Sequence, residues 1–150
     1  MSIYTYVICD KCNGLNRVPF DYPVGKSPVC GRCKNLLSMQ NGVNVLTDTS
    51  LEILIHKCPT PVIIDFWAPW CGPCRAFAPT FIRAASQLKG RAVFAKIDTQ
   101  AQPTSGQKFD VKGIPTLMVF SQGKEIDRIS GALPFDDFIM WANQALNKVL

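Results

Sequence analysis

Two cysteines separated by two residues, Cys71 and Cys74, are the side chains of this sequence best suited to do chemistry. They lie in the run WCGPC, between an apolar stretch at 62–67 that predicts a buried strand and a segment with helical apolar spacing. Such a thiol pair is typical of a thiol–disulfide exchange site. At a helix N-terminus, unpaired N–H groups and the helix dipole favour the attacking thiolate. A pKa lowered from about 8.5 to about 7 raises the thiolate fraction at pH 7 from about 3% to about half.

Four further cysteines form two pairs of the same spacing, Cys9 with Cys12 and Cys30 with Cys33. Four thiolates in such pairs are the ligand set of tetrahedral zinc ribbons. Neither pair has the strand-to-helix setting of Cys71. We therefore predict one zinc ion bound by these four cysteines, with two disulfides or a second redox pair as the alternatives.

One cysteine and the single histidine fall outside these sets. Cys58 is predicted to be a partly buried thiol without a role, and a regulatory or glutathionylated thiol is the alternative. His56 is predicted to end a helix and not to bind metal, because four cysteines already complete the metal shell.

Composition predicts one core-forming domain with an attachment, since the chain has 150 residues and is 47% apolar. The N-terminus has no basic region followed by a long apolar stretch, and no apolar run approaches the ~18 residues of a membrane span. We expect a cytoplasmic protein, whose thiols are kept reduced, with no membrane partner.

The net charge of +5 is concentrated at the N-terminus, where residues 1–40 hold five basic and two acidic residues. Four thiolates and one zinc ion would reduce the +3 of this segment to about +1. A near-neutral segment without a basic stripe argues against nucleic-acid binding, the alternative function for a small zinc ribbon.

The organisation along the chain predicts a zinc-binding module at 1–40, joined through the polar stretch 38–42 to an α/β domain at 41–150. The domain is predicted to form a mixed sheet with helices on both faces. A hairpin turn is expected at 121–124. Strands are predicted at 43–46, 62–67, 92–97, 116–120 and 125–129, and helices at 48–56 (capped by Asp48 or Thr49), at 72–88, at 104–109 and from Pro134.

This order of elements, together with the 70–74 motif, resembles the thioredoxin family over roughly residues 43–150. Further matching positions are Asp65, Pro79, the loop Gly113-Ile114-Pro115-Thr116, Gly123 and Gly131. The resemblance implies a thioredoxin fold, a mixed central sheet flanked by helices, with a small N-terminal zinc-ribbon-like module. With its four N-terminal cysteines, the whole chain resembles the zinc-binding bacterial thioredoxins of the thioredoxin 2 type.

The resemblance implies that Cys71 is the exposed nucleophile, which attacks a client disulfide, and that the more buried Cys74 then resolves the mixed disulfide. It assigns Asp65 to proton transfer with the buried thiol, and burial should raise the pKa of this carboxyl. Lys96 is included with the catalytic residues. The alternative is a structural Asp65 paired with the charge of Lys96.

A substrate-binding surface is also implied, built around Ile114 and Pro115. An X–Pro bond is usually trans, but the resemblance implies a cis bond here. Ile114 would then present its backbone to an extended client, giving strand-like pairing. The surface would be completed by Trp70, Gly72, Pro73, Gly113 and Gly131. Trp70 with only a packing role is the alternative.

The implied function is general reduction of protein disulfides through a redox-active Cys71–Cys74 disulfide, in a monomer. The implied partners are disulfide-containing client proteins and a flavin- and NADPH-dependent thioredoxin reductase. An oxidant or isomerase is the alternative enzyme, although the Gly72-Pro73 dipeptide resembles that of reducing members. Arg75 departs from the family pattern, where many members have Lys, and we expect a changed partner preference with intact chemistry.

Overall fold

The structure is a computed structural model of the chain that describes residues 3–23, 25–39 and 41–149. Its elements in chain order are β1 (Tyr4–Ile8), β2 (Leu15–Pro19), β3 (Val43–Leu46), α1 (Asp48–Lys57), β4 (Val62–Trp67), α2 (Gly72–Gln87), β5 (Val93–Asp98), α3 (Pro103–Lys108), β6 (Thr116–Ser121), β7 (Lys124–Ser130) and α4 (Phe135–Asn147).

The central sheet has the strand order β3-β5-β4-β6-β7. Strands β3, β5 and β4 are parallel, whereas β6 and β7 are each antiparallel to the preceding strand in that order. Helices α2 and α4 pack on one face and α1 on the other. Strand β4 is buried from Val62 to Phe66 because both faces are covered, which explains its continuous apolar run. The predicted mixed sheet flanked by helices is confirmed.

The cap of α1 differs from the prediction of Asp48 or Thr49. Thr47 is the N-cap residue: its Oγ1 accepts from the Ser50 N–H at 3.0 Å. The Ser50 hydroxyl in turn accepts from the Thr47 N–H at 2.8 Å. This reciprocal capping box satisfies two donors at the helix end, so the helix begins at Asp48.

The predicted hairpin turn between β6 and β7 is present. Gln122 and Gly123 have φ angles of 51° and 81°, both in the left-handed region. Two successive residues of this kind match the right-handed twist of the flanking strands.

The N-terminal segment contains an antiparallel hairpin, β1 with β2, that the sequence analysis did not predict. Alternate residues of the hairpin face opposite sides, which is the period of a strand. One side packs against the core between α1 and the sheet, through Tyr6, Ile8 and Leu15. The other side of the hairpin packs against the segment around the second cysteine pair and forms a small separate core. Its buried members are Val7, Cys9, Val18, Cys30 and Leu37.

Asn44, a buried polar residue of β3, joins this hairpin to the central sheet. Its Oδ1 accepts from the Ile8 N–H at 3.0 Å, and its amide donates to the Tyr6 carbonyl at 3.0 Å. The amide also lies 3.5 Å from the Phe94 carbonyl of β5. Because a buried amide needs these partners, Asn44 fixes where β1 lies along the sheet.

The stretch 38–42, predicted to be the linker, leads into β3. Gln40 lies outside the described residues, and so do Met1 and Ser2 of the N-terminal stretch. Asn41 and Gly42 have φ angles of 55° and 81°. In the part of the chain that the structure describes, no helix combines the length and apolar character needed to cross a membrane.

Candidate functional site

Cys71 is the N-cap residue of α2, at the end of the segment that follows β4. Its Sγ accepts a hydrogen bond from the Cys74 N–H at 3.2 Å. The two cysteines form a disulfide, with Cα atoms 5.2 Å apart. Because the Cys71 sulfur lies where α2 presents unpaired N–H groups, this position favours a thiolate once the disulfide is reduced.

The prediction that Cys71 is exposed is wrong for this disulfide form, whereas Cys74 is buried as predicted. The exposed fractions are 4% for Cys71 and 2% for Cys74. Cys71 is covered because the loop before Pro115 lies against it: the Ile114 carbonyl is 3.8 Å from the Cys71 Sγ. What distinguishes the two sulfurs is their place on the helix, since Cys71 is the cap and Cys74 lies in the first turn.

The residues predicted to bind substrate are grouped around this disulfide. Ile114 contacts Cys71 directly, and the Ile114–Pro115 bond is cis, as the resemblance implies. The Gly131 N–H donates to the Pro115 carbonyl at 2.8 Å, which brings the end of β7 to the same loop. The side chain of Trp70 is 68% exposed. Gly72 and Pro73, between the two cysteines, and Gly113, next to Ile114, are exposed.

Asp65 is buried in the middle of β4, and its Oδ1 has no hydrogen-bond partner. Burial raises the pKa of Asp65 to about 7, although the charge of Lys96 opposes that rise. Lys96 is directly opposite on β5, with its Nζ 5.3 Å from the centre of the Trp67 ring. Between these two described residues there is no ion pair within 4.0 Å, so the structure does not pair Asp65 with Lys96 as a fixed salt bridge.

A crevice of about 50 Å³ lies beside Asp65 and extends to the exposed Asn41. The space exceeds the ~10–15 Å³ that one water molecule needs. It is lined by Asn41, Val43, Asp65, Ala78, Phe81, Ile82 and Lys96. A buried acid with a pKa near neutral and a route to solvent can exchange protons at physiological pH.

Replacing Asp65 with asparagine should slow turnover most above pH 7 and flatten its pH dependence, because asparagine cannot accept a proton. The free energy of unfolding, in contrast, should be higher in the variant than in the parent. The pKa of Asp65 is higher in the folded state than its usual value, so its favourable contribution is present at low pH and is lost as the pH rises through about 7. We expect the variant to gain up to about 4 kcal/mol over the parent by pH 8.

The measurements for Asp65→Asn are denaturant unfolding and disulfide reduction, each at intervals from pH 5 to 8. Asp98→Asn is the matched control, since Asp98 is a half-buried carboxylate on the neighbouring strand. Parallel pH profiles for the parent and Asp65→Asn would exclude a proton-transfer role.

The four N-terminal cysteines are gathered at one point. Their Sγ atoms all lie within 4.8 Å of one another. Cys9 and Cys33 are 3.6 Å apart, and so are Cys12 and Cys30. A tetrahedral zinc site with Zn–S bonds of about 2.3 Å has sulfurs about 3.8 Å apart. The spacing fits zinc ligation and exceeds the ~2.05 Å of a disulfide bond.

The two cysteine loops have the same backbone geometry. In each, the first cysteine donates its N–H to the carbonyl five residues later, at 2.8 Å, and its own carbonyl accepts from the N–H four residues later, at 2.9 Å. The residue after the second cysteine has a left-handed φ: 62° at Asn13 and 67° at Lys34. The repeated geometry aims all four thiols at one centre.

The thiols differ in how readily they ionise. Hydrogen bonds from the Cys33 backbone, then from the Asn16 side chain and the Arg32 backbone, lower the pKa of Cys30 to about 6. The Gly14 backbone favours the Cys12 thiolate, yet burial and the neighbouring thiols together raise the pKa of Cys12 to about 11. Four thiolates at this spacing repel one another, so the donor set fits a divalent cation.

Asn16 is a functional position that the sequence analysis missed. Its Oδ1 accepts from the Gly31 N–H at 2.9 Å, and its amide donates to the Gly14 carbonyl at 3.2 Å. The side chain thereby joins the two cysteine loops. An asparagine four residues after a cysteine pair was the available signal, but only the fold shows which loop it reaches.

Two residues lie outside these sites. His56 is placed as predicted, and Cys58 is more buried than predicted. His56 lies in the last turn of α1, with its Nε2 3.4 Å from a carboxylate oxygen of Glu52. Cys58 is fully buried, with Sγ 3.4 Å from the Thr60 hydroxyl. Burial raises the pKa of the Cys58 thiol, which makes it a poor nucleophile.

Comparison with known proteins gives matches over most of the chain. A family model described as Thioredoxin matches residues 42–144. Thioredoxin C-3 of Corynebacterium nephridii is 38% identical over 142 residues, which cover 95% of this chain and 96% of that protein. Thioredoxin 1 of Chlorobaculum tepidum is 44% identical over 57% of this chain and 85% of its own length. The M-type chloroplastic thioredoxin of Brassica napus is 41% identical over 62% of this chain, which spans about half (52%) of that protein.

The similarity therefore includes the β4–α2 junction with its disulfide, the loop at Pro115 and, in the first relative, most of the N-terminal segment. The chain belongs to the thioredoxin family of protein-disulfide reductases.

Proposed function

We propose that Cys71 and Cys74 carry out the reductase reaction by dithiol–disulfide exchange. The observation that carries this proposal is the Cys71 sulfur at the N-cap of α2, accepting the Cys74 N–H at 3.2 Å. The same N–H stabilises a Cys71 thiolate in the reduced enzyme. Cys74 is one turn further on and close enough to bond to Cys71 without movement of the backbone.

The reaction has two exchange steps. The Cys71 thiolate attacks one sulfur of a client disulfide, which forms a mixed disulfide and releases the other client sulfur as a thiolate. Cys74 then loses its proton and attacks the Cys71 sulfur, which releases the second client sulfur and forms the Cys71–Cys74 disulfide. Two electrons pass to the client, which takes up two protons. A flavin- and NADPH-dependent thioredoxin reductase is the proposed source of electrons for the next cycle.

Asp65 is the proposed acceptor of the Cys74 proton. The support is its unpaired Oδ1, a pKa raised to about 7 and the crevice to solvent. Lys96 is proposed to assist by holding that pKa below the value that burial alone would give. Pro115 is proposed to shape the loop that carries the Ile114 carbonyl to the sulfur of Cys71.

The client-docking surface is proposed to be the shallow region around the disulfide, formed by Trp70, Gly72, Pro73, Gly113, Ile114 and Gly131. Its support is the exposed indole of Trp70 and the exposed backbone near Cys71. An extended client could pair with the backbone of Ile114 and place its disulfide beside Cys71. The Gly72-Pro73 dipeptide favours a reductant over an oxidant or isomerase.

The N-terminal segment is proposed to be a zinc module spanning 1–40, with the thioredoxin domain at 41–150. Cys9, Cys12, Cys30 and Cys33 would hold one zinc ion, supported by the spacing and repeated geometry of their loops. Zinc there would supply folding free energy and no redox chemistry. This makes the chain a zinc-binding bacterial thioredoxin of the thioredoxin 2 type. We propose that it acts as a monomer in the cytoplasm, without nucleic-acid or membrane partners.

The test is a zinc and thiol count on native, oxidised protein. We expect one zinc per chain. Unfolding in chelator without reductant should expose five thiols, from the four ligands and Cys58, and reduction should raise the count to all seven cysteines. A count of one thiol without zinc would mean that the N-terminal cysteines form two disulfides, and the zinc proposal would be abandoned.

A further inference from the structure

Thr116, the first residue of β6, has a buried hydroxyl with two partners. Its exposed fraction is 1%. The hydroxyl donates to the Gly113 carbonyl, within the loop that lies over the disulfide. It is also 3.1 Å from the hydroxyl of Ser130, the residue opposite it on β7. A side-chain link therefore joins the end of β7 to the loop at Gly113.

The direction of this link follows from the protons available. The Gly113 carbonyl can only accept, so it uses the single hydroxyl proton of Thr116. The Thr116 oxygen must then accept from Ser130, whose hydroxyl is the donor. The chain runs from Ser130 to Thr116 to Gly113, and each bond polarises the next. Loss of the Ser130 hydroxyl removes one bond, whereas loss of the Thr116 hydroxyl removes both.

One of the linked segments lies against the sulfur of Cys71, and the other is hydrogen-bonded to that segment. The Ile114 carbonyl, one residue beyond Gly113, is 3.8 Å from the Cys71 Sγ. Gly131, one residue beyond Ser130, donates its N–H to the Pro115 carbonyl at 2.8 Å. The hydroxyl pair thus holds two strands of the proposed docking surface at a fixed separation, but neither hydroxyl is within hydrogen-bond distance of either sulfur.

We infer that Thr116 and Ser130 are positioning residues that hold the Gly113–Ile114 backbone in place for pairing with a client backbone. The inference rests on the proposed docking surface and deepens it. Because the pair acts on backbone placement, its loss should weaken client binding and leave the sulfur exchange unchanged. A small disulfide without peptide groups does not need that backbone and should not be affected.

The experiment measures reduction of insulin and of hydroxyethyl disulfide by the full-length, zinc-loaded enzyme. For insulin, Thr116→Val should raise KM about tenfold and Ser130→Ala about threefold, with kcat nearly unchanged. The rate with hydroxyethyl disulfide should stay at the parent value for both. Thr116→Ser restores the hydroxyl and should restore KM. Ser121→Ala, at the other end of the same strand pair, is the matched control and should behave as the parent.

Unchanged KM for insulin in Ser130→Ala and Thr116→Val would overturn the inference. An equal loss with both substrates would also overturn it, because the defect would then reach the cysteine pair. Ser130 is exposed, so its variant stays informative if Thr116→Val fails to fold. Trp70→Ala tests the docking surface separately. A raised KM in Trp70→Ala with unaffected hydroxyl variants refutes only the hydroxyl pair, whereas an unchanged KM in Trp70→Ala and in both hydroxyl variants refutes the surface and the pair together.

Discussion

Replacing Cys71 with serine should abolish reduction of protein disulfides, whereas replacing Cys74 with serine should trap clients as mixed disulfides. A serine hydroxyl does not ionise near neutral pH and cannot attack a disulfide sulfur. The two variants should differ because Cys71 caps α2 and accepts an N–H, while Cys74 lies within the first turn. Their exposed fractions of 4% and 2% are too similar to decide the order of attack.

The measurement is insulin reduction together with the mass of adducts formed with an oxidised client. Cys74→Ser should give a reductant-sensitive adduct equal to one client, and Cys71→Ser should give none. Cys58→Ser is the control, since this cysteine is buried and not joined to the pair, and it should retain parent activity. Adducts of equal yield in Cys71→Ser and Cys74→Ser would mean that either sulfur can attack first.

Removal of zinc should unfold the N-terminal segment and leave the central sheet folded. The segment has only a two-stranded sheet and a small core that includes two of the cysteines. Zinc-finger peptides of comparable size gain about 10–16 kcal/mol of apparent free energy from the metal. The core between the central sheet and helices α2 and α4 contains no residue of this segment, and so Cys71 chemistry should persist.

Hydrogen exchange before and after chelation is the measurement. The amide of Ile8 should lose protection, because its bond to Asn44 needs a folded hairpin, while the amides of β4 should keep theirs. Mild peroxide should act like the chelator by oxidising the ligands, and it should change client preference or redox poise. Equal protection of Ile8 with and without zinc would show that metal does not hold the module together.

If oxidation of the four N-terminal cysteines changes client preference or redox poise, the N-terminal segment would act as a peroxide sensor, which is a further hypothesis. Deleting residues 1–40 removes the whole β1–β2 hairpin together with the four thiols, so it cannot separate oxidation of the thiols from loss of the segment. Reduction rates and captured clients should therefore be compared in the full chain with intact ligands and in Cys9→Ser, each with and without peroxide. The hypothesis fails if peroxide changes the two proteins equally.

The sequence alone was sufficient for the redox pair, the four N-terminal cysteines that cluster together and most of the α/β domain. These features depend on local patterns: two residues between cysteines, an apolar run at β4 and helical spacing in α2. The same local information set the hairpin turn at Gln122 and Gly123 to within a residue. Local patterns of this kind predict structure because the interactions that stabilise each element are made by residues close together in the sequence.

Other features were decided by contacts between distant residues. The hairpin β1–β2 was missed because its short strands gain their burial from the core under α1 and from Asn44, 36 residues beyond Ile8. The cover over Cys71 comes from Ile114, 43 residues away. The Ser130–Thr116–Gly113 chain exists because β6 and β7 pair in one particular register. Sequence patterns determine which residues can do chemistry, but burial and hydrogen-bond partners arise only when the chain brings separate segments together.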